Sequence, residues 1–251
     1  MQFAVVDGIS IEPAPGIRGN CRFCQAEMIA KCGRHKIWHW AHKSRMHCDP
    51  WWEPETEWHR EWKNCFPSEW HEIIQVDPVT GEKHIADVKT SHSLVIEFQH
   101  STISPVELKS REEFYNNMVW IVDGCKNEQN RYYFDLGEPA SEPSRRSHTA
   151  TTSSTSGQST LFDLIDEAST ELVSASPVSE EPSVPFPEFR TDYRFYWYSS
   201  SKFFHNWAQA TKPVYVDFGD DTLWHLKDFT PSIKQGIVRR VYKTDLIDRF
   251  I

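Results

Sequence analysis

The chain of 251 residues is 39% hydrophobic and 14% aromatic, and it carries a formal net charge of −9. This composition supports a hydrophobic core in one medium or two small domains, and it excludes a chain that is disordered throughout. The negative charge argues against a uniformly basic coat for nucleic acid. It is compatible with a site made of carboxylates, because bound cations reverse the local charge there.

The sequence has no run of about 18 apolar residues, so it predicts no transmembrane helix. Its first residues lack the basic side chains and the long apolar core of a secretion signal. We therefore expect a cytoplasmic protein that does not contact a membrane. Since disulfides are rare in that compartment, the six cysteines are interpreted as metal ligands rather than as three disulfides.

Residues 1–50 are predicted to form a small N-terminal zinc-binding module of the zinc-ribbon type. A strand at 3–7 is followed by a loop with prolines and a glycine, and then by a region, 21–48, in which cysteine and histidine are concentrated. A segment this small cannot bury enough apolar surface to fold alone. The zinc is therefore expected to be structural and to supply the missing free energy.

The predicted zinc ligands are two CxxC thiolates on one tight turn, Cys21 and Cys24, and two imidazoles, His39 and His42. Cys48 is the alternative ligand in place of one histidine. The CxxC pair could also be a redox pair or two buried thiols, but a redox CxxC normally starts a helix after a strand, whereas this one lies among loop residues. Two further candidate ligands are Cys32 and His47.

Residues 51–137 are predicted to form an α/β core. In chain order its predicted elements are a helix at 53–66, strands at 69–76, 83–90 and 94–99, a helix at 104–118, and strands at 119–123 and 131–136. Ser104 is expected to cap the second helix, with Pro105 at its first position. This order predicts a mixed sheet flanked by helices.

Two segments follow this core. Residues 138–189 are rich in Ser, Thr, Pro and Glu, which predicts a flexible linker. Within it, the stretch from Gln158 to Phe162 resembles the short peptide by which bacterial DNA enzymes dock on the sliding clamp. Residues 190–251 are predicted to form a small C-terminal α/β segment, which either stands alone or completes the first domain.

Two acidic residues in neighbouring predicted strands suggest a site for a hard cation. Asp87 lies in the second strand, and Glu97 lies in the third within an apolar run, where a carboxylate is costly unless it binds a metal or a partner. Glu97 and Gln99 point to the same face by strand alternation. Such residues are often merely exposed to solvent, but the burial expected for Glu97 favours a Mg²⁺ or Mn²⁺ site.

Several short motifs, taken together and in this order, resemble the competence protein CoiA family. This resemblance implies a PD-(D/E)XK restriction-endonuclease-like core behind a zinc-ribbon-like module, linked to DNA processing. The motifs are Cys21-x-x-Cys24, His39-Trp40-Ala41-His42-Lys43, Glu55-x3-His59-x3-Lys63, Ala86-Asp87-Val88, Ile96-Glu97-Phe98-Gln99-His100-Ser101, Ile103-Ser104 and Arg111-x3-Tyr115.

The resemblance implies a role for each matching acidic or amide residue. Asp87 and Glu97 would bind Mg²⁺ or Mn²⁺. Gln99 stands where many nucleases of this fold have lysine, so the metal would carry more of the catalysis. Glu55 on the preceding helix would complete the metal site, with Glu57 as the alternative.

The basic and aromatic residues of these motifs are expected to contact DNA. His59 and Lys63 share a helix face with Glu55 and would contact a phosphate or position the attacking water. Arg111 and Tyr115 would face the cleaved strand, with Arg111 as the phosphate clamp. Lys63 and Arg111 could equally be surface charges that pair with nearby glutamates.

The sequence thus predicts a metal-dependent DNA nuclease that acts in DNA processing, in competence and recombination or in phage defence. Such an enzyme would work alone, as a homo-oligomer or in a larger DNA-processing complex. The alternative is a zinc-containing DNA-binding or adaptor protein whose nuclease core is inactive.

Overall fold

A computed structural model describes residues 1–44, 48–126, 130, 135–140, 191–197 and 202–251. These residues form a mixed α/β structure with two sheets and a few short helices. They belong to one compact unit, made of Met1–Ala140 and Pro187–Ile251. No helix in the described part of the chain is long and apolar enough to cross a membrane.

The first sheet contains the N-terminal strands, and all of its pairings are antiparallel, in the order β2-β1-β3-β4-β5. Its small core contains Met1, Ala4, Cys21, Met28 and Trp40, and Ile85 of the next sheet packs against it. The strands are β1 (Ala4–Val6), β2 (Ile9–Ile11), β3 (Arg18–Asn20), β4 (Glu27–Lys31) and β5 (His39–His42).

The second sheet has nine strands in the order β10-β11-β14-β13-β12-β9-β8-β7-β6. The neighbours β8, β9 and β12 run parallel, and the other pairings are antiparallel. The strands are β6 (His71–Val76), β7 (Lys83–Lys89), β8 (Val95–Gln99), β9 (Met118–Asp123), β10 (Asp135–Pro139), β11 (Asp192–Tyr196), β12 (Val214–Asp217), β13 (Thr222–Thr230) and β14 (Gln235–Tyr242).

Helices cover both faces of this sheet. The helices are α1 (Glu57–Lys63), α2 (Pro105–Tyr115), α3 (Lys202–Trp207) and α4 (Lys243–Phe250), and a 3₁₀ turn spans Ser68–Trp70. Strand β9 shows the layering, because Trp120 packs in one apolar cluster with residues of α2 and α3. Ile121 points to the other face and packs with residues of α1 and α4.

The second predicted helix is confirmed at its start. Ser104 accepts a hydrogen bond from the backbone N–H of Glu107 at 3.1 Å, and Pro105 occupies the first turn. The helix ends at Tyr115, three residues before the predicted end at 118, because Asn116 adopts a positive φ of 55°. A positive φ cannot continue a right-handed helix.

The first predicted helix is shorter than expected. It starts at Glu57 behind an N-cap at Thr56, whose side chain accepts from the backbone N–H of His59. The prediction that Glu55 lies on this helix is therefore wrong. Pro54 lies in the irregular segment before the cap rather than in the first turn.

The C-terminal segment 190–251 does not build a sheet of its own. Its strand β12 pairs in parallel with β9, and β11, β13 and β14 extend the same sheet. Part of the sequence-based interpretation lies outside the described residues. This part comprises 141–189 of the predicted linker with its clamp-like peptide, 131–134 of the last predicted core strand, and His47.

Candidate functional site

Four side chains form a cluster that could hold a zinc ion. One ligand atom from each of Cys21, Cys24, His42 and Cys48 lies within 4.8 Å of the others. The CxxC turn between β3 and β4 is held by a hydrogen bond from the backbone N–H of Phe23 to Cys21 Sγ at 3.4 Å. Cys24 Sγ lies 3.2 Å from His42 Nε2, and three sulfurs with one imidazole are a ligand set that suits zinc.

The prediction that His39 is a ligand is wrong. The fourth member of the cluster is Cys48, the predicted alternative. His39 and His42 both lie on β5, where residues three apart point to opposite faces. His39 instead donates from Nδ1 to the carbonyl of Ile37 at 2.8 Å. Cys32 also lies outside the group of four.

The thiols of Cys21 and Cys48 favour the protonated state while no metal is bound. Burial raises the pKa of Cys21 and of Cys48, and the proximity of the two sulfurs, 3.7 Å apart, raises the pKa of Cys48 further. Zinc binds thiolates, so its binding must release these protons.

Asp87 and Glu97 meet where the pairing between β7 and β8 stops. The ladder joins Lys89 to Val95 and Val88 to Ile96, and beyond it the two carboxylates replace backbone partners. The backbone N–H of Asp87 donates to Glu97 Oε1 at 3.2 Å, and that of Phe98 donates to Asp87 Oδ2 at 3.0 Å. The two predicted acidic residues are therefore adjacent. Glu97 is buried, and Asp87 is half-buried.

This arrangement disfavours the charged form of both groups. Burial, together with the negative charge of Asp87, raises the pKa of Glu97 to about 8, against the opposing charge of Arg111. Burial also raises the pKa of Asp87, although Lys63 and His59 act in the opposite direction. A divalent cation between the two would relieve their repulsion.

Without added divalent cation, the contribution of Glu97 to the stability of the protein is expected to fall as pH rises from about 4.5 to about 8. In this window the unfolded chain has already lost the Glu97 proton, while the folded state must still give it up. Glu97→Gln should remove most of this pH dependence, measured by urea unfolding at pH 5 and pH 8. Equal pH dependence in both proteins would contradict the assignment.

A cavity of about 70 Å³ opens beside these carboxylates. Its basic and imidazole side chains are His59, Lys63 and Arg111. The carboxylates that line it are Asp49, Glu53, Glu55, Glu72, Asp87 and Glu97. In the described part of the chain the cavity does not gather three His, Cys, Asp or Glu ligand atoms within 4.8 Å. A hydrated cation would therefore take further ligands from water or substrate.

Glu53 is a site residue that the sequence did not reveal. Its carboxylate accepts hydrogen bonds from Gln99 Nε2 and from the Ser101 hydroxyl. His59 Nε2 lies 3.7 Å from Glu53 Oε2, and Thr56 Oγ1 lies 2.8 Å from His59 Nδ1. Glu53 lies in an extended segment without periodicity, so no pattern in the sequence marked it.

His59 is neutral in this surrounding. Burial lowers its pKa, although the charges of Asp87 and Glu53 act to raise it. A neutral ring can accept the Thr56 hydroxyl at Nδ1 and carry its proton at Nε2, toward Glu53. His59 is thus held in one tautomer at the wall of the cavity.

Glu55 lines the cavity but is engaged by basic groups rather than placed beside Asp87. It lies 2.5 Å from Lys63 Nζ, 3.1 Å from Arg60 Nε and 3.6 Å from the amino group of Met1. Burial alone would raise the pKa of Glu55, but these charges outweigh it and hold the pKa well below its usual range. Glu57, the alternative to Glu55, is exposed on α1.

The residues predicted to bind DNA lie in the interior. Lys63 is 2% exposed and contacts Glu55 and Glu72. Arg111 is 4% exposed and donates to Glu97, to Glu107 and to the carbonyl of Trp51. Lys63 and Arg111 line the cavity, and Tyr115 is buried as well. The DNA contacts expected of these residues stay predictions.

Above about pH 8, where Glu97 is ionised, Arg111→Met is expected to destabilise the protein by about 3–5 kcal/mol, because it leaves the charged Glu97 buried without its partner. Urea unfolding measures this cost. Lys109→Met is the matched control, since Lys109 is exposed on the same helix and its pair with Glu113 is worth about 0–1 kcal/mol. Equal costs for the two variants would refute the structural role of the Arg111 pair.

A short segment connects the Cys/His cluster to the cavity. Asp49 follows Cys48 directly, and its carboxylate accepts from the backbone N–H groups of Ile85 and Trp51 at 2.8 and 2.9 Å. Asp49 also lies 2.9 Å from His84 Nδ1, and the His84 ring stacks on Trp51. The position of Cys48 therefore helps to fix the wall of the cavity.

Comparison of the chain with protein-family models, with curated proteins and with solved structures found no significant match.

Proposed function

We propose that this chain is a metal-dependent deoxyribonuclease with a PD-(D/E)XK-like core and a structural zinc site. The observation that carries the proposal is the pair of buried Glu97 and half-buried Asp87, joined across two strands at the point where their ladder opens beside a cavity. A buried carboxylate beside a second, half-buried one is costly in a protein that uses neither. They offer hard oxygen ligands on rigid strands, which Mg²⁺ and Mn²⁺ prefer.

The order of the elements supports the proposed core. Helix α1, the antiparallel strands β6 to β8, helix α2 and the parallel strand β9 follow one another in the chain. This order, with Asp87 on β7 and Glu97 on β8, agrees with the CoiA-like resemblance of the motifs. A CoiA-like nuclease would act on DNA, alone or within an oligomer or a larger complex.

The surroundings of the two carboxylates are suited to a bound cation. Gln99 Oε1, Arg111 Nε and the Tyr115 hydroxyl are buried without a hydrogen-bond partner among the described residues. Ordered water usually makes the missing hydrogen bonds of such atoms, and a hydrated cation would supply that water. A cation held here would lower the pKa of a bound water and neutralise the charge that develops on the phosphate.

Other side chains of the cavity would assist the metal in catalysis. Gln99 cannot supply a charge, and it donates to Glu53 instead. Lys63 supplies a positive charge near Asp87, whose pKa it acts to lower. Neutral His59, held between Thr56 and Glu53, would orient the attacking water. An adaptor protein without catalytic activity would not require these side chains to orient a water molecule.

The decisive test is a gel assay on zinc-loaded protein with Mg²⁺ or Mn²⁺. Single-stranded, duplex and branched DNA are presented separately, so that the assay also identifies the substrate class. Cation-dependent cleavage of at least one substrate is expected. Folded, zinc-loaded protein that binds DNA but cleaves none of them would contradict the proposal and favour the adaptor function.

A further inference from the structure

A second histidine lies beside the cavity and is held by a buried carboxylate. His100 follows β8, and its Nδ1 lies 2.6 Å from Asp123 Oδ2 at the end of β9. The other oxygen, Asp123 Oδ1, accepts from the backbone N–H groups of Cys125 and Lys126 at 2.7 and 3.2 Å. Because a carboxylate oxygen can only accept, Nδ1 of His100 carries the proton and donates it to Asp123 Oδ2.

This pairing fixes which nitrogen of His100 can exchange a proton. Nδ1 is occupied by Asp123, and no hydrogen bond to Nε2 is present among the described residues. The side chain of His100 is 27% exposed, whereas that of Asp123 is 6% exposed. A histidine oriented by a carboxylate at one nitrogen and open to solvent at the other is suited to donate and accept protons.

His100 is also connected to the cavity through its neighbours. Its ring lies 5.8 Å from that of His59, centroid to centroid, and His59 lines the cavity. The residues on either side of it, Gln99 and Ser101, both donate to Glu53, which lines the same cavity. The position of His100 is therefore fixed by its hydrogen bond to Asp123, by the neighbouring ring of His59 and by the hydrogen bonds of Gln99 and Ser101 to Glu53.

We propose that His100, oriented by Asp123, is the proton donor to the leaving oxygen of the cleaved phosphodiester. This inference rests on the proposed nuclease function. The oxygen of water forms a bond to phosphorus while the bond from phosphorus to the leaving sugar oxygen breaks. That oxygen takes the proton from Nε2 of His100. The attacking water releases a proton to solvent, and the His100 ring then takes up a proton from solvent.

The test compares two leaving groups. One substrate is an ordinary DNA oligonucleotide, and the other carries a bridging sulfur in place of the leaving oxygen, supplied as both the 3′-S and the 5′-S isomer. A thiolate leaves without being protonated, so its departure needs no proton donor. All assays use Mn²⁺, and the variants are His100→Gln and Asp123→Asn.

His100→Gln should slow cleavage of the ordinary oligonucleotide by about 10²- to 10⁴-fold, the usual contribution of a general acid. Cleavage of the sulfur-bridged substrate should slow by less than about tenfold. Asp123→Asn should show the same pattern with a smaller loss. His92→Gln, an exposed histidine on the loop before β8, is the matched control and should cleave both substrates at the wild-type rate.

Equal losses on both substrates would overturn the inference, because they would show that His100 has only a structural role. Full activity of His100→Gln on the ordinary oligonucleotide would overturn it as well. A wild-type protein that cleaves neither substrate would overturn the nuclease function, and this inference with it. Zinc content and far-UV circular dichroism, compared between the proteins, show whether each variant has folded.

Discussion

Cys48→Ser is expected to unfold the N-terminal sheet and to disrupt the acidic cavity at the same time. A structural zinc contributes an apparent ~10–16 kcal/mol, which is comparable to the whole stability of a domain, about 5–15 kcal/mol. Loss of the ligand releases the segment that starts at Asp49 and holds Trp51 and Ile85. Both the melting temperature and the binding of Mn²⁺ should therefore fall, measured by calorimetry.

Cys32→Ser is the matched control for this change, because Cys32 lies on the same module but outside the group of four ligands. It should retain one zinc per chain and the melting temperature of the wild type. Removal of zinc from the wild-type protein with a strong chelator should reproduce the effect of Cys48→Ser. Unchanged zinc content and stability in Cys48→Ser would refute the ligand set.

Asp87→Asn is expected to abolish cation-dependent DNA cleavage, with a loss of at least about 10³-fold. A cation stabilises the transition state by several kcal/mol, and each 1.4 kcal/mol is worth about tenfold in rate. The same variant should be more stable than the wild type without added cation, because it removes a half-buried carboxylate whose charged form is disfavoured beside Glu97. Its amide oxygen can still accept from the backbone N–H of Phe98.

The opposite signs of these two effects distinguish a functional residue from a structural one. Cleavage is measured on gels and stability by urea unfolding. Glu113→Gln is the matched control, since Glu113 is an exposed acidic residue on α2, and it should change neither quantity. An Asp87→Asn protein that cleaves DNA at the wild-type rate would show that the cation is not bound at this pair.

Local patterns were sufficient where one residue and its immediate neighbours decide the structure. Ser104 followed by Pro105 predicted the start of α2, because capping depends on backbone groups within three residues. The apolar run around Glu97 predicted a buried strand and hence a costly carboxylate. The juxtaposition of Asp87 and Glu97 followed from placing the two strands side by side.

The prediction of the zinc ligands shows where local patterns stop being sufficient. The spacing His39-x-x-His42 suits a turn but fails on a strand, where alternation separates residues three apart. The choice of Cys48 depended on how the chain returns to the CxxC turn, which no short window of sequence contains.

Patterns along the chain predicted the α/β alternation, the cysteine-rich N-terminal module and the acidic pair at Asp87 and Glu97. Periodicity, capping and ligand chemistry are properties of nearby residues, so they can be read along the chain. Tertiary structure alone decided that 190–251 extends the same sheet. It also decided that Glu53 lines the cavity and that Asp123 holds His100, because each of these contacts joins residues more than twenty positions apart whose pairing depends on the packing of the whole unit.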